Sequence, residues 1–97
     1  MGRQESNVEN YLRRRVKALG GFHRKVVYQA RKGAPDLWCF FPGGKLLIVE
    51  CKRPGKNHLD PLQDVEVDIL QRAGFKATWV NDIEGVDRVL MEFFSES

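Results

Sequence analysis

Asp36, Glu50 and Lys52 are charged residues set in an apolar stretch, GAPDLWCFFPGGKLLIVECKRPG, at residues 33–55. Unpaired charge in such surroundings is costly, so the three must neutralise one another or hold something. Pro42-Gly43-Gly44 suits a three-residue hairpin loop. Phe41 then lies across from Lys45, and the same register brings Asp36 opposite Glu50. Cross-strand partners have Cβ atoms about 4.5–5.5 Å apart, so the two carboxylates converge. Alternation along the strand puts Glu50 and Lys52 on one face and Cys51 on the other. Two acids this close repel, and one keeps its proton unless a cation intervenes. Carboxylate oxygens suit Mg²⁺ or Mn²⁺, which turns a bound water into a ready nucleophile. A lysine beside that water stabilises charge developing on a phosphate. The pattern outlines metal-assisted hydrolysis of a phosphodiester. The competing reading is a structural ion triad in which Lys52 neutralises both acids, and a short D…ExK pattern also arises by chance. Pro35 ahead of the acid, the cross-strand spacing and the placing of ExK at the end of an apolar strand favour a site.

Such a cluster needs elements to position it. A helix is expected over 6–19, where Val8, Leu12, Val16 and Leu19 recur at helical spacing and Gly20-Gly21 ends it. Residues 22–30, with Lys25-Val26-Val27-Tyr28, have strand composition. A turn over 31–35 leads to strands over 37–41 and 45–52. A basic loop over 54–58 follows, and then Asp60-Pro61 opens a second helix as N-cap and first helical residue. Leu62, Val65, Ile69, Leu70 and Ala73 are expected to face inward, with Gly74 as the stop. A strand over 75–80 and a helix over 83–94, burying Ile83, Val86, Val89, Leu90 and Phe93, complete the order αβββαβα. A three-stranded meander followed by a helical crossover gives an α/β fold with a mixed four-stranded sheet flanked by helices.

Composition sets the class. The 97 residues predict one domain over 1–97, and 42% apolar with 30% charged residues excludes a disordered chain. No apolar run approaches the ~20 residues of a membrane span, so no membrane partner is expected. The polar N-terminus lacks the core of a signal peptide, which predicts an intracellular protein. Cys39 and Cys51, in apolar strands, are expected to be buried reduced thiols. Net charge is +3, and its distribution is uneven. Arg13, Arg14, Arg15, Lys17, Arg24, Lys25, Arg31, Lys32, Lys52, Arg53 and Lys56 precede an acid-rich remainder, which favours a phosphate-facing side. Trp38 and Trp79 are expected in the core.

Pro35-Asp36 with Glu50-Cys51-Lys52 resembles the PD-(D/E)XK nuclease signature, in a matching element order with a restriction-endonuclease-like core. The closer resemblance is to the VRR-NUC branch, the virus-type replication and repair nucleases, over nearly the whole chain. It rests on the helix start at Glu5, Gly20-Gly21, Lys25, Gly33-Ala34-Pro35-Asp36, Glu50-Cys51-Lys52-Arg53-Pro54-Gly55-Lys56, Pro61-Leu62-Gln63 and Gly74-Phe75. The resemblance implies a small, phage-like DNA endonuclease of replication or repair that uses Mg²⁺ or Mn²⁺ and no organic cofactor. It implies architecture and branched-DNA preference like the dimeric Holliday-junction resolvases. Asp36 and Glu50 would be metal ligands, the backbone carbonyl of Cys51 a third, and Lys52 the catalytic lysine. The family often carries another residue at the Cys51 position, so its thiol has no expected chemistry.

In that family a glutamate on the first helix reaches the metal. Glu5 is favoured because it lies beside Val8, Leu12 and Val16 on the helical wheel, whereas Glu9 suits an exposed acid near a helix N-terminus. Gln63 aligns with an active-site glutamine, but Asp60-Pro61-Leu62-Gln63 also has capping-box spacing. Lys25 fits a DNA contact, a support for the carboxylates or an edge-strand charge. Lys32, Arg53, Lys56 and His58 flank the site as candidate phosphate contacts. Nothing in the sequence reads base edges, so recognition by shape and backbone is expected. Cutting both strands of a symmetric junction calls for a homodimer, with Met91, Phe93 and Phe94 as either interface or core. The alternatives are a nicking, flap or non-specific nuclease on the same site, and a silent DNA-binding module.

Overall fold

The computed structural model describes the backbone of residues 2–96 and the side chains of residues 7–96. The elements run α1 (Gly2–Ala18), β1 (Phe22–Lys25), β2 (Leu37–Phe41), β3 (Lys45–Cys51), α2 (Pro61–Arg72), β4 (Lys76–Val80) and α3 (Ile83–Ser95). The sheet order is β1-β2-β3-β4. The first three strands form an antiparallel meander, and β4 joins parallel to β3 after the α2 crossover. The αβββαβα order and mixed four-stranded sheet are those expected.

Alternation along the strands divides the interior in two. Leu37, Cys39 and Phe41 of β2 and Leu47, Val49 and Cys51 of β3 pack with Val8, Leu12 and Val16 of α1 and Val86 and Leu90 of α3. On the other face Ile48 and Ala77 pack with Leu59 and Val67, flanked by Trp38 and Trp79. Both tryptophans and both cysteines thus serve the interior, and burial pushes the Cys39 thiol up to about 12. The β2–β3 register runs from Phe41↔Lys45 to Leu37↔Val49, as the hairpin turn predicted. Gly43 and Gly44 take φ of 86° and 74°, values that glycine adopts without strain.

Three expectations need correction. The strand expected over 22–30 ends at Lys25. Val26 N–H still bonds the Asp36 carbonyl at 2.8 Å, but the chain then leaves the sheet and Val27 is 85% exposed. It leaves because β2 begins only at Leu37 and offers no further partner. On α2, Leu62, Val65 and Ile69 are exposed, as is Ala73, while Glu66 and Val67 are buried and Gln63 and Leu70 half-buried. The helix turns a mixed polar face to the sheet, for reasons that lie in the site. Ile83, at the start of α3, is likewise exposed.

Candidate active site

The hairpin delivers its charges to the open end of the sheet. One step beyond the last strand pair, the Asp36 backbone N–H donates to Glu50 Oε1 at 3.1 Å. Glu50 is 5% exposed and Lys52 8%. Lys52 Nζ stands 3.5 Å from Glu50 Oε2 and 3.8 Å from Asp60 Oδ2. Its backbone N–H extends the parallel pairing by bonding the Val80 carbonyl at 2.8 Å. Cys51 points the other way, into the core beneath α1 and α3, and burial pushes its thiol far up. Only its main chain is left to serve the site.

Burial raises the Glu50 carboxyl to about 7, and the nearby charge of Asp36 adds to the rise. Lys52 and the Asp36 N–H pull the other way without cancelling it. Burial thus favours the protonated form of Glu50 unless a further cation joins it.

Gln63 is hydrogen-bonded on two sides. Its Oε1 accepts from the Asp60 N–H at 3.3 Å, closing the helix cap, while its Nε2 donates to Glu50 Oε2 at 3.1 Å. One amide thus ties the first turn of α2 to the buried acid.

Lys25 stands against two acids. Its Nζ bonds Glu9 Oε1 at 2.9 Å, Glu9 Oε2 at 3.1 Å and Asp36 Oδ2 at 3.0 Å. Partial burial alone would lower its pKa, but the bonds to Glu9 and Asp36 outweigh that and raise it. Glu9, expected to be a solvated acid, has a side chain only 14% exposed and also pairs with Arg13. The favoured alternative, Glu5, lies outside the described side chains. The helical wheel ranked the two by apolar neighbours on α1, but what draws Glu9 inward is Lys25, on β1.

The other candidates are placed as follows. Lys56 is half-buried and reaches Asp60 Oδ1 at 3.7 Å, so Asp60 stands between two lysines, a position its capping role did not reveal. Lys32 and Arg53 are exposed and make no ion pair among the described residues. His58 is exposed, with Nδ1 3.1 Å from the Leu59 carbonyl. The cluster proper is Asp36, Glu50, Lys52, Gln63, Lys25 and Glu9.

A divalent cation fits this donor set in kind. The acids are hard oxygen ligands, and Mg²⁺ is commonly held by one or two carboxylates with water completing the shell. Among the described residues no group of three candidate ligands is assembled, so the acids available together are the pair Asp36 and Glu50. The Lys25 ammonium lies between Glu9 and Asp36 and keeps them apart as separate ligands.

A solved structure described as a VRR_NUC domain is 34% identical, with a TM-score of 0.87, over 91% of this chain and 95% of that one. The chain belongs to the VRR-NUC family. A curated phage protein, "Putative nuclease p44" of Acyrthosiphon pisum secondary endosymbiont phage 1, is 40% identical over 54 residues. That match covers 56% of this VRR-NUC chain and 58% of the phage protein, a little over half of each. No family model matches the chain.

Proposed function

We propose that this chain is a DNA endonuclease that uses Mg²⁺ or Mn²⁺, prefers branched DNA such as four-way junctions and acts as a homodimer. One observation carries the reading: the hairpin register brings Asp36 and the buried Glu50 together beside Lys52, in a VRR-NUC fold. The name of the phage relative supports a nuclease as well.

Asp36 and Glu50 would hold the cation, with the main-chain carbonyl of Cys51 completing the protein's share. Bound there, a divalent cation would supply an activated water and neutralise charge on the phosphate. The protein's own groups do the rest. Asp36 N–H and Gln63 Nε2 fix the two oxygens of Glu50, so the carboxylate is oriented before substrate arrives. Lys52, buried to its ammonium, stabilises charge that builds on the phosphate oxygens. The Lys25 ammonium bonds Asp36 and Glu9 directly, and a cation held by the acids would release it for a phosphate. Lys32, Arg53, Lys56 and His58 would follow the backbone on either side.

The deciding experiment is cleavage of a labelled four-way junction beside a matched duplex and flap, in Mg²⁺, Mn²⁺ or EDTA, with wild type and Asp36→Asn. Junction cutting that requires both metal and Asp36 is the expected result. Equal cutting of all substrates would remove the junction preference and keep the nuclease. Binding without cutting would turn the chain into a DNA-binding module.

A further inference from the structure

Asn10, Arg13, Arg14 and Lys17 recur at the i, i+3, i+4 and i+7 positions of one helical face. They line a cleft of about 250 Å³ against β1, with His23 on its far side. No acid lines it. Glu9 pairs with Arg13 from one turn away, but Arg14 and Lys17 have no carboxylate partner among the described residues. Arg14 lies over the Tyr11 ring at 5.9 Å, and Arg24 over Phe22 at 4.7 Å, so both guanidiniums are braced by aromatic faces. Burial lowers the pKa of His23, and the charges of Arg13, Lys17 and Arg24 lower it further against the weaker pull of Glu9. Like charges gathered this closely repel unless an anion joins them.

We propose that this α1–β1 cleft is a second DNA-backbone subsite, gripping the phosphates next to the one being cut. The inference rests on the reading of the chain as a DNA-acting protein and extends it to a surface outside the catalytic cluster. Glu9 connects the two, since it accepts from Lys25 on the Asp36 side and from Arg13 on the cleft side. Arg13 and Lys17 lie four and eight residues along α1 from Glu9, roughly 6 and 12 Å of helix. At ~3.4 Å of duplex axis per phosphate on one strand, that reach corresponds to about two to four nucleotides beyond the active site. Such contacts read the backbone and not the bases, which suits a structure-selective enzyme.

The test measures binding of labelled duplex and junction DNA across a salt series, in EDTA, on an Asp36→Asn background. Each neutralised phosphate contributes about 0.9 to the slope of log affinity against log salt. Arg14→Gln and Lys17→Gln are each expected to weaken binding several-fold at ~0.1 M salt and to flatten the slope by about 0.9, and together by twice that. Arg72→Gln removes the same charge from α2, on the other face of the sheet, and is expected to leave the slope unchanged. The His23 ring resonances should shift on DNA addition with an upward move in pKa. Unchanged slopes in the α1 variants, or an equal loss in Arg72→Gln, would overturn the subsite. If the α1 variants flatten the slope while wild type cuts nothing with metal, the subsite stands and the nuclease reading falls. If wild type binds no DNA, both fall.

Discussion

Glu50 gives the molecule a pH response near neutrality. In the folded chain its carboxyl titrates near 7, against an ordinary value of 4.5, because it is buried beside Asp36. Between those values folding takes up a proton, so stability falls as pH rises from about 4.5 through 7. The loss is at most ~3 kcal/mol and is complete above that window. Denaturant melts in EDTA at pH 5 and pH 8 should show the fall, and Glu50→Gln should abolish it. Cation binding has the opposite sign, since it needs the ionised carboxylate and should tighten as pH rises. Mn²⁺ titrations at the same pH values would show no such trend if Glu50 were not a ligand.

The double role of Gln63 gives a second prediction at this scale. Gln63→Glu keeps an acceptor for the Asp60 N–H but sets a carboxylate against Glu50 where an amide donated. The Glu50 pKa should rise, and the pH profile of cleavage should move to higher pH with little loss of stability. Gln63→Ala should instead cost about 1 kcal/mol of stability as the cap is lost. An unmoved pH profile in Gln63→Glu would leave Gln63 as a cap alone. The sequence alone placed Asp36, Glu50 and Lys52 because a hairpin register can be counted out from its turn. It misjudged Glu9 because the partner that draws it inward lies sixteen residues away on another element.

At the scale of elements, the segment between β1 and β2 is clamped to α2. Arg31 donates to Glu66 Oε2 from Nε at 2.8 Å and from Nη2 at 2.5 Å, and burial together with the same carboxylate raises the pKa of the Tyr28 hydroxyl. Gly33 takes φ 97°, and a Cβ there would lie 2.5 Å from the Leu62 carbonyl oxygen. Trp38 Nε1 fixes the segment's end by donating to the Pro35 carbonyl at 2.8 Å. Asp36 and Gln63 are thereby carried on one braced unit. Arg31→Met would leave a buried carboxylate without its cation, at a cost of about 1–2 kcal/mol, since the Arg31 side chain is itself 57% exposed to screening water. Gly33→Ala combines a clash with a disfavoured backbone and should destabilise by a similar amount. Chemical denaturation measures both, and wild-type stability in Arg31→Met would show that the clamp carries no weight. The clamp also explains the inward face of α2. Apolar periodicity selected Leu62, Val65 and Ile69, but Glu50 and Arg31 require Gln63 and Glu66 on the inner side, and one helix cannot bury both sets.

For the whole molecule, one copy measures 31 × 30 × 21 Å, enough to cover about nine base pairs of duplex. Engaging both cut strands of a junction calls for two. Phe93 and Phe94 are half-buried, with both rings packed on Phe41 at 5.6 and 4.9 Å between centroids. Met91, 71% exposed, and the α2 side chains Leu62, Val65 and Ile69 present the apolar surface that a second copy could cover. Light scattering at micromolar concentration is expected to give a dimer mass. Met91→Glu and Val65→Glu, made separately, should show which face holds it, since only one of them is expected to yield monomer. A monomer in wild type would remove the dimer from the proposal.

The Gly43-Gly44 turn lies at the opposite pole of the β2–β3 hairpin from Asp36 and Glu50, a full strand length away. An added Cβ at either glycine would meet nothing within 4 Å. This makes the hairpin tip a practical attachment point. A peptide tag, a fluorophore-bearing cysteine or an affinity handle spliced into a lengthened glycine linker there would leave the charged end clear. Surface-immobilised protein captured by this tip would present its charged pole to solution, ready for single-molecule observation of any DNA that arrives and leaves.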